Sequence, residues 1–153
     1  MVVGGNVTIG PDATLQISGA ATPLSLGGNW TRAGTFAAGT GTVLFSGTNA
    51  QAITASTFDK LTINKLAGTA TLAGNVTVNS DLNLASGTLD LAGFSLNRSV
   101  PGGTLALGPG TLLKVGATFP ANFATRTVEA TRTVLYNGPT PQSISGETYG
   151  NWF

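Results

Sequence analysis

The chain has 153 residues, enough for one domain with a sizeable core, and its 7 basic and 6 acidic side chains give a net charge of +1. Charged residues are 8% of the chain, against roughly 25% in an average soluble domain, and they are scattered singly. No basic stripe is present to neutralise phosphates, so nucleic acid is not an expected partner. The absence of Cys and His excludes thiol nucleophiles, imidazole bases, disulfides and zinc fingers together.

Hydrophobic residues make up 41% and Gly accounts for 22 positions. Thr, Ser, Asn, Ala and Gly replace the missing charge and make a neutral polar surface. Disordered chains are rich in charge and poor in β-branched residues, so an ordered chain is expected. No apolar run is long enough to span a bilayer, and no basic amphipathic stretch suggests a membrane surface. Met1-Val2-Val3-Gly4-Gly5 lacks the charged start and apolar stretch of a signal peptide, and reads as a start residue before an excised segment. A cysteine-free chain rich in Thr, Asn and Gly suits a secreted bacterial protein.

Short alternating runs follow one another along the chain. Val7-Thr8-Ile9, Leu15-Gln16-Ile17 and Leu24-Ser25-Leu26 come first, then Val76-Thr77-Val78, Asp81-Leu82-Asn83-Leu84, Thr88-Leu89-Asp90-Leu91 and Phe94-Ser95-Leu96-Asn97. Thr104-Leu105-Ala106-Leu107 and Leu113-Lys114-Val115 continue the pattern. Apolar side chains sit two apart with a polar one between, which predicts strands with one face buried. No window carries sustained helical spacing. The joints hold Gly or Pro, as at Ser18-Gly19, Gly27-Gly28, Ser86-Gly87, Gly102-Gly103 and Gly108-Pro109-Gly110. Asn137-Gly138 is a hairpin-type dipeptide, but most joints are not hairpin turns. The stretch Phe119 to Arg132 is the least regular and reads as a longer loop or side insertion.

The chain also repeats itself. Gly5-Asn6-Val7-Thr8-Ile9 with Asp12 returns as Gly74-Asn75-Val76-Thr77-Val78 with Asp81, 69 residues on. Val43-Leu44-Phe45-Ser46-Gly47 through Gln51, Ile53, Thr57 and Phe58 returns as Val134-Leu135-Tyr136-Asn137-Gly138 through Gln142, Ile144, Thr148 and Tyr149, 91 residues on. Short strands, frequent corners and self-similarity predict an all-β parallel β-helix forming a single domain over residues 1–153, with roughly seven coils of about 20 residues. An antiparallel β-sandwich is the alternative. The two offsets are not whole numbers of such coils, which a solenoid with equal coils would require.

The series Gly28-Asn29-Trp30-Thr31, Gly34-Thr35-Phe36, Gly39-Thr40-Gly41-Thr42-Val43, Phe45-Ser46-Gly47 and Gln51 to Ile53, followed by Leu61-Thr62-Ile63-Asn64, resembles a repeat of very large secreted bacterial surface proteins of adhesin-like type. Val134 to Tyr149 matches the same series, with Pro139 and Pro141 in place of Thr48 and Ala50. The resemblance runs from about Gly27 to Trp152 and implies right-handed parallel β-helix segments outside the cell. It carries no catalytic residues.

Polysaccharide-cleaving enzymes on β-helices need clustered acids and bases. Here Asp12, Asp59, Asp81, Asp90, Glu129 and Glu147 are spread through the chain. Asp81 and Asp90 read as outward polar residues, and Arg126, Glu129 and Arg132 as a surface ion-pair set. No catalytic, cofactor or metal site is expected; Asn79-Ser80-Asp81 is a weak ion-binding candidate. The Asn-x-Ser/Thr matches at Asn6, Asn29, Asn75 and Asn97 carry no glycosylation weight. Trp30, Phe36, Phe45, Phe58, Phe94, Tyr136, Tyr149 and Trp152 are expected in rows inside the coil, with a sugar platform as the alternative. Leu44 and Leu135 point the other way. The open ends of a β-helix invite pairing, which makes Val2 and Val3 at one end and Trp152 and Phe153 at the other candidate end-to-end contacts. The expected function is a non-catalytic stiff extracellular module that self-associates end to end or continues in a longer chain. The alternative is a carbohydrate-binding adhesin face with a glycan partner.

Overall fold

The computed structural model describes residues 1–19 and 22–144. Its strands are β1 (Val2–Val3), β2 (Val7–Ile9), β3 (Thr14–Gln16), β4 (Leu24–Leu26), β5 (Trp30–Arg32), β6 (Thr35–Ala37), β7 (Thr42–Phe45), β8 (Gln51–Ile53) and β9 (Ser56–Phe58). They continue with β10 (Lys60–Leu72), β11 (Val76–Val78), β12 (Leu82–Asp90), β13 (Leu96–Arg98), β14 (Gly102–Leu107), β15 (Leu112–Val115), β16 (Phe123–Val128) and β17 (Thr133–Tyr136). Among the described residues there is no helix.

The strands stack in parallel on three faces. One face runs β1-β4-β7-β10-β12-β14-β16. A second joins β2, β5, β8, the far halves of β10 and β12, β15 and β17. The third holds β3 on β6, and β9 on β11 on β13. Every described pairing is parallel, so the chain is a parallel β-helix and the sandwich alternative is excluded. The Asn137-Gly138 dipeptide makes a corner: Asn137 donates its N–H to the Val115 carbonyl of the coil below at 3.0 Å. The described residues make about six turns, from β1 to the seventh rung of the first face, β16, and the coils vary in length. One turn takes 18 residues from Val43 to Leu61, and 23 from Leu82 to Leu105.

The register explains the two offsets. Val7 lies on the second face; three turns above it, by way of Trp30 and Ile53, stands Leu72. Val76 follows around the next corner, on the third face. Val43 lies on the first face, below Leu61, Leu82, Leu105 and Arg126, whereas Val134 pairs on the second face with Leu113. Each offset is therefore a number of turns plus one face. The repeated unit is a strand with its corner, usable on any side of the coil.

Period-2 alternation fills the interior. Leu24, Val43, Leu61, Leu82 and Leu105 form one inward file, and Leu26, Phe45, Ile63, Leu84 and Leu107 another. Each such side chain contributes about 1.5–3 kcal/mol on burial. Trp30, Phe36, Phe45 and Phe58 form an aromatic cluster, with ring centroids 4.7 Å apart for Trp30 and Phe36 and 5.4 Å for Trp30 and Phe58. The buried Trp30 Nε1 donates to Ser56 Oγ at 2.7 Å. Leu44 and Leu135 do point outward, and Leu135 is 44% exposed. The irregular stretch is not an insertion. Residues Phe123 to Val128 form β16, a full rung over β14, although only its two ends turn inward.

Stacking at the coil spacing leaves no room for a side chain where corners lie one above another. A methyl group on Gly47 would stand 2.0 Å from the Gly27 carbonyl oxygen, whereas one on Gly93 meets nothing within 4 Å. Gly47→Ala should cost about 2 kcal/mol or more, and Gly93→Ala no more than about 0.5 kcal/mol, in denaturant melts of the two variants.

Candidate functional site

The polar side chains most tightly engaged in this protein sit at its corners, where the backbone leaves the ladders and needs other partners. Two devices recur. In the first, an Asn just before or within a strand accepts a backbone N–H from the next coil. Asn6 Oδ1 takes the N–H of Asn29 at 2.8 Å, and Asn29 Oδ1 takes that of Ala52 at 2.8 Å. Asn75 does the same for Ser95 at 3.0 Å and Asn97 for Ala121 at 2.8 Å. These are the four Asn-x-Ser/Thr asparagines, so the pattern marks coil-to-coil bonds. Asp81 plays the same part, accepting from Thr104 N at 2.9 Å.

The second device is a glutamine clamp. Gln51 Oε1 accepts the Gly47 N–H at 3.1 Å, while its Nε2 donates to Leu26 O at 3.1 Å and Gly28 O at 2.6 Å of the coil below. Gln142 repeats every bond: Oε1 from Gly138 N at 2.6 Å, and Nε2 to Val115 O at 2.9 Å and Ala117 O at 3.0 Å. The repeated Gly and Gln of the sequence are thus one bonding unit. Lys65, from the coil above, completes the first clamp. Its Nζ donates to Gly47 O, to Asn49 O at 2.9 Å and to Gln51 Oε1 at 2.7 Å. The residue is 1% exposed, and burial lowers its pKa below the ordinary lysine value of 10.5.

Three arginines also bind carbonyls. Arg32 Nε donates to Ala55 O at 2.9 Å and Nη1 to Gly34 O at 3.0 Å. Arg98 Nη2 donates to Asn79 O, while its buried Nε and Nη1 find no partner among the described residues. Arg132 Nη1 donates to the backbone carbonyl of Glu129 at 2.8 Å, not to its carboxylate. The expected ion-pair set of Arg126, Glu129 and Arg132 thus resolves differently, with Arg126 lying 5.7 Å from the centre of the Phe119 ring. Arg32 and Arg98 have no acid within seven residues in the sequence, which reads as a sparse surface; their carbonyl partners come from neighbouring coils or corners and leave no local signal.

The expected acids stay apart. Asp90 Oδ1 takes the Ala92 N–H at 2.8 Å, and its other oxygen pairs with Lys114 at 3.6 Å, one coil above. Ser80 Oγ donates to Asp59 Oδ1 at 2.9 Å, and Asn79 Oδ1 accepts from Ser99 Oγ at 3.3 Å. The Asn79-Ser80-Asp81 run is therefore engaged with neighbouring coils. Among the described residues no three acids gather in a metal-binding group. A hollow of about 370 Å³ at the N-terminal end, between Met1, Gln16, Ile17 and Leu24, is lined without a charged side chain.

Of the candidate end contacts, Val2 is 81% exposed and Val3 half-buried. Among the described residues their strand β1 pairs only with β4. Trp152 and Phe153 lie outside the described residues, as do Thr148 and Tyr149. No family model, curated protein or solved structure matches the chain.

The clamp yields a test. Lys65→Met leaves three oxygens short of a donor and should cost about 2–3 kcal/mol in urea melts. The lowered pKa fixes a pH dependence as well. The unfolded chain binds the proton more tightly, so stability rises as pH climbs from the lowered folded value to 10.5. Lys65→Met should flatten that rise.

Proposed function

We propose that this chain is a non-catalytic structural module, a segment of a stiff extracellular rod or fibre of a bacterial cell. The observation that carries the reading is where its polar chemistry goes. Asn6, Asn29, Asn75, Asn97, Gln51, Gln142, Lys65 and Arg32 are all engaged in bonds from one coil to another. A catalytic site gathers such groups around a cleft; here they are distributed along the axis and join its layers. Each coil then resists being peeled from the next, which suits a rod carrying load in a protease-rich surrounding. The likeness of the Gly28 to Asn64 series to large bacterial surface proteins supports the habitat. Among the described strands β1 pairs only with β4, so its other edge is suited to pairing with a further coil.

The carbohydrate-binding alternative needs outward aromatic side chains to stack on sugars. Trp30, Phe45 and Phe58 are wholly buried, which weighs against it. A glycan array probed with the purified chain separates the two readings. The structural reading predicts no saturable sugar ligand, and a defined glycan bound at micromolar concentration contradicts it. Negative-stain micrographs of the concentrated chain give a second readout. Filaments of constant width identify a module that stacks on its own copies, and discrete particles one that extends only on a different neighbour.

A further inference from the structure

Asn137-Gly138 is the one Asn-Gly step in the chain. In such a step the backbone nitrogen of the glycine can attack the asparagine amide, because glycine carries no side chain to hinder the approach. Asn is for this reason among the residues that heat degrades. The corner cannot dispense with its glycine. A methyl group on Gly138 would stand 2.4 Å from the Gly116 carbonyl oxygen and 2.7 Å from Gln142 Cδ. The first clamp has Ser46 before its glycine, so only the second copy carries the reactive pair.

The clamp acts on the reacting atom itself. Gly138 donates its N–H to Gln142 Oε1 at 2.6 Å. Gln142 is held in turn by Val115 O at 2.9 Å and Ala117 O at 3.0 Å, which accept from its Nε2. On the other side of the residue, Asn137 donates its own N–H to Val115 O at 3.0 Å. Both amides that flank Asn137 are therefore tied to the coil below, one directly and one through Gln142. Attack requires the Gly138 nitrogen to lose its proton and swing onto Cγ of Asn137, and each movement breaks the bond to Oε1.

We propose that Asn137 is a latent site of self-modification, held unreactive by the Gln142 clamp and released when this corner opens. The reaction runs on the chain and water alone. The Gly138 nitrogen gives its proton to hydroxide and bonds to Cγ; the Cγ–Nδ2 bond breaks, and the nitrogen takes a proton from water and leaves as ammonia. Water then opens the succinimide ring at either carbonyl, giving aspartate or isoaspartate. Isoaspartate routes the main chain through the former side chain and lengthens it by one atom. A corner with a carbonyl so close to its glycine has no slack for that atom. One opening long enough to react therefore leaves a permanent mark.

The test follows the full chain at mildly alkaline pH, by peptide mass mapping across residues 133–144 and by enzymatic methylation of isoaspartate. The folded chain should convert at Asn137 roughly tenfold or more slower than the chain in urea. Gln142→Ala in the folded chain should speed conversion roughly tenfold, about what one hydrogen bond to the attacking nitrogen is worth. Gln51→Ala removes the same bonds from the first clamp and should leave the rate at Asn137 unchanged. In the unsubstituted chain, conversion and hydrogen exchange of the Gly138 amide should rise together across low urea concentrations, which keeps the test sound even if Gln142→Ala unfolds. Equal rates folded and in urea would overturn the proposal, as would conversion that stays flat while the Gly138 amide opens. So would a folded Gln142→Ala chain that converts at the unsubstituted rate. Equal acceleration by Gln51→Ala also overturns it, since general loosening is then the cause.

Discussion

A coil that turns a corner leaves its ladder, and the backbone groups it strands there must still find partners. In this chain the ladders run only three to a handful of residues before each corner, so the demand recurs on every side of every turn. The corner is also where coils come closest, with the Gly27 carbonyl lying directly beneath Gly47. Water is poorly placed to enter so tight a stack. Side chains from the coil above or below answer the demand: an Asn oxygen for a stranded N–H, a Gln amide for two stranded carbonyls, a Lys or Arg for carbonyls in sets. The low charge content follows. Four of the seven basic side chains, Arg32, Lys65, Arg98 and Arg132, bind backbone oxygens, which leaves few charges for the outer surface.

Such an arrangement makes neighbouring coils mutually dependent. A coil's apolar file has value only under another coil, and a corner oxygen is satisfied only by a donor one layer away. Stability is then close to a sum over layers and the contacts between them. Outward pairs such as Asp90 with Lys114 add little, about 0–1 kcal/mol for an exposed ion pair. A coil stack built on these terms is held by its interior seams, and its surface is left free to be neutral. The second clamp repeats the first bond for bond, on another face of the coil.

Much of the fold was legible in the residues. Val76-Thr77-Val78 and its successors gave strands with one buried face because a period of two has only one structural reading at that length. The glycines at the joints marked corners. What remained hidden was the face each strand would occupy, since coils of 18 to 23 residues carry no sequence mark of where one turn closes. That is why the offset from Val43 to Val134 matched no whole number of coils until their faces were known. The stretch around Phe123 looked irregular because Arg126 takes the place of an apolar residue in the file above Leu105, in a rung whose middle residues are exposed. Gln51 and Gln142 were visible as repeated letters, but their role depends on carbonyls of residues 23 to 27 positions earlier. Lys65 gave the weakest signal of all: a lone lysine beside an apolar strand reads as solvent-facing, and only the stacked oxygens reveal it as interior.

The central claim is that successive coils lie in parallel register, one directly above the next. The chain has no cysteine, so paired substitutions report on that register without interference. Thr62 and Asn83 are register partners on the first face, and Thr57 and Thr77 on the third. Neighbouring strands lie about 4.8 Å apart, within the span a disulfide bridges. The measurement is the yield of intramolecular disulfide in the two double-cysteine variants under mild oxidation, with Thr62 and Thr77 as the mismatched pair. High yield in both register pairs and none in the mismatched pair is the predicted result; comparable yields in all three, or none in the register pairs, would contradict it.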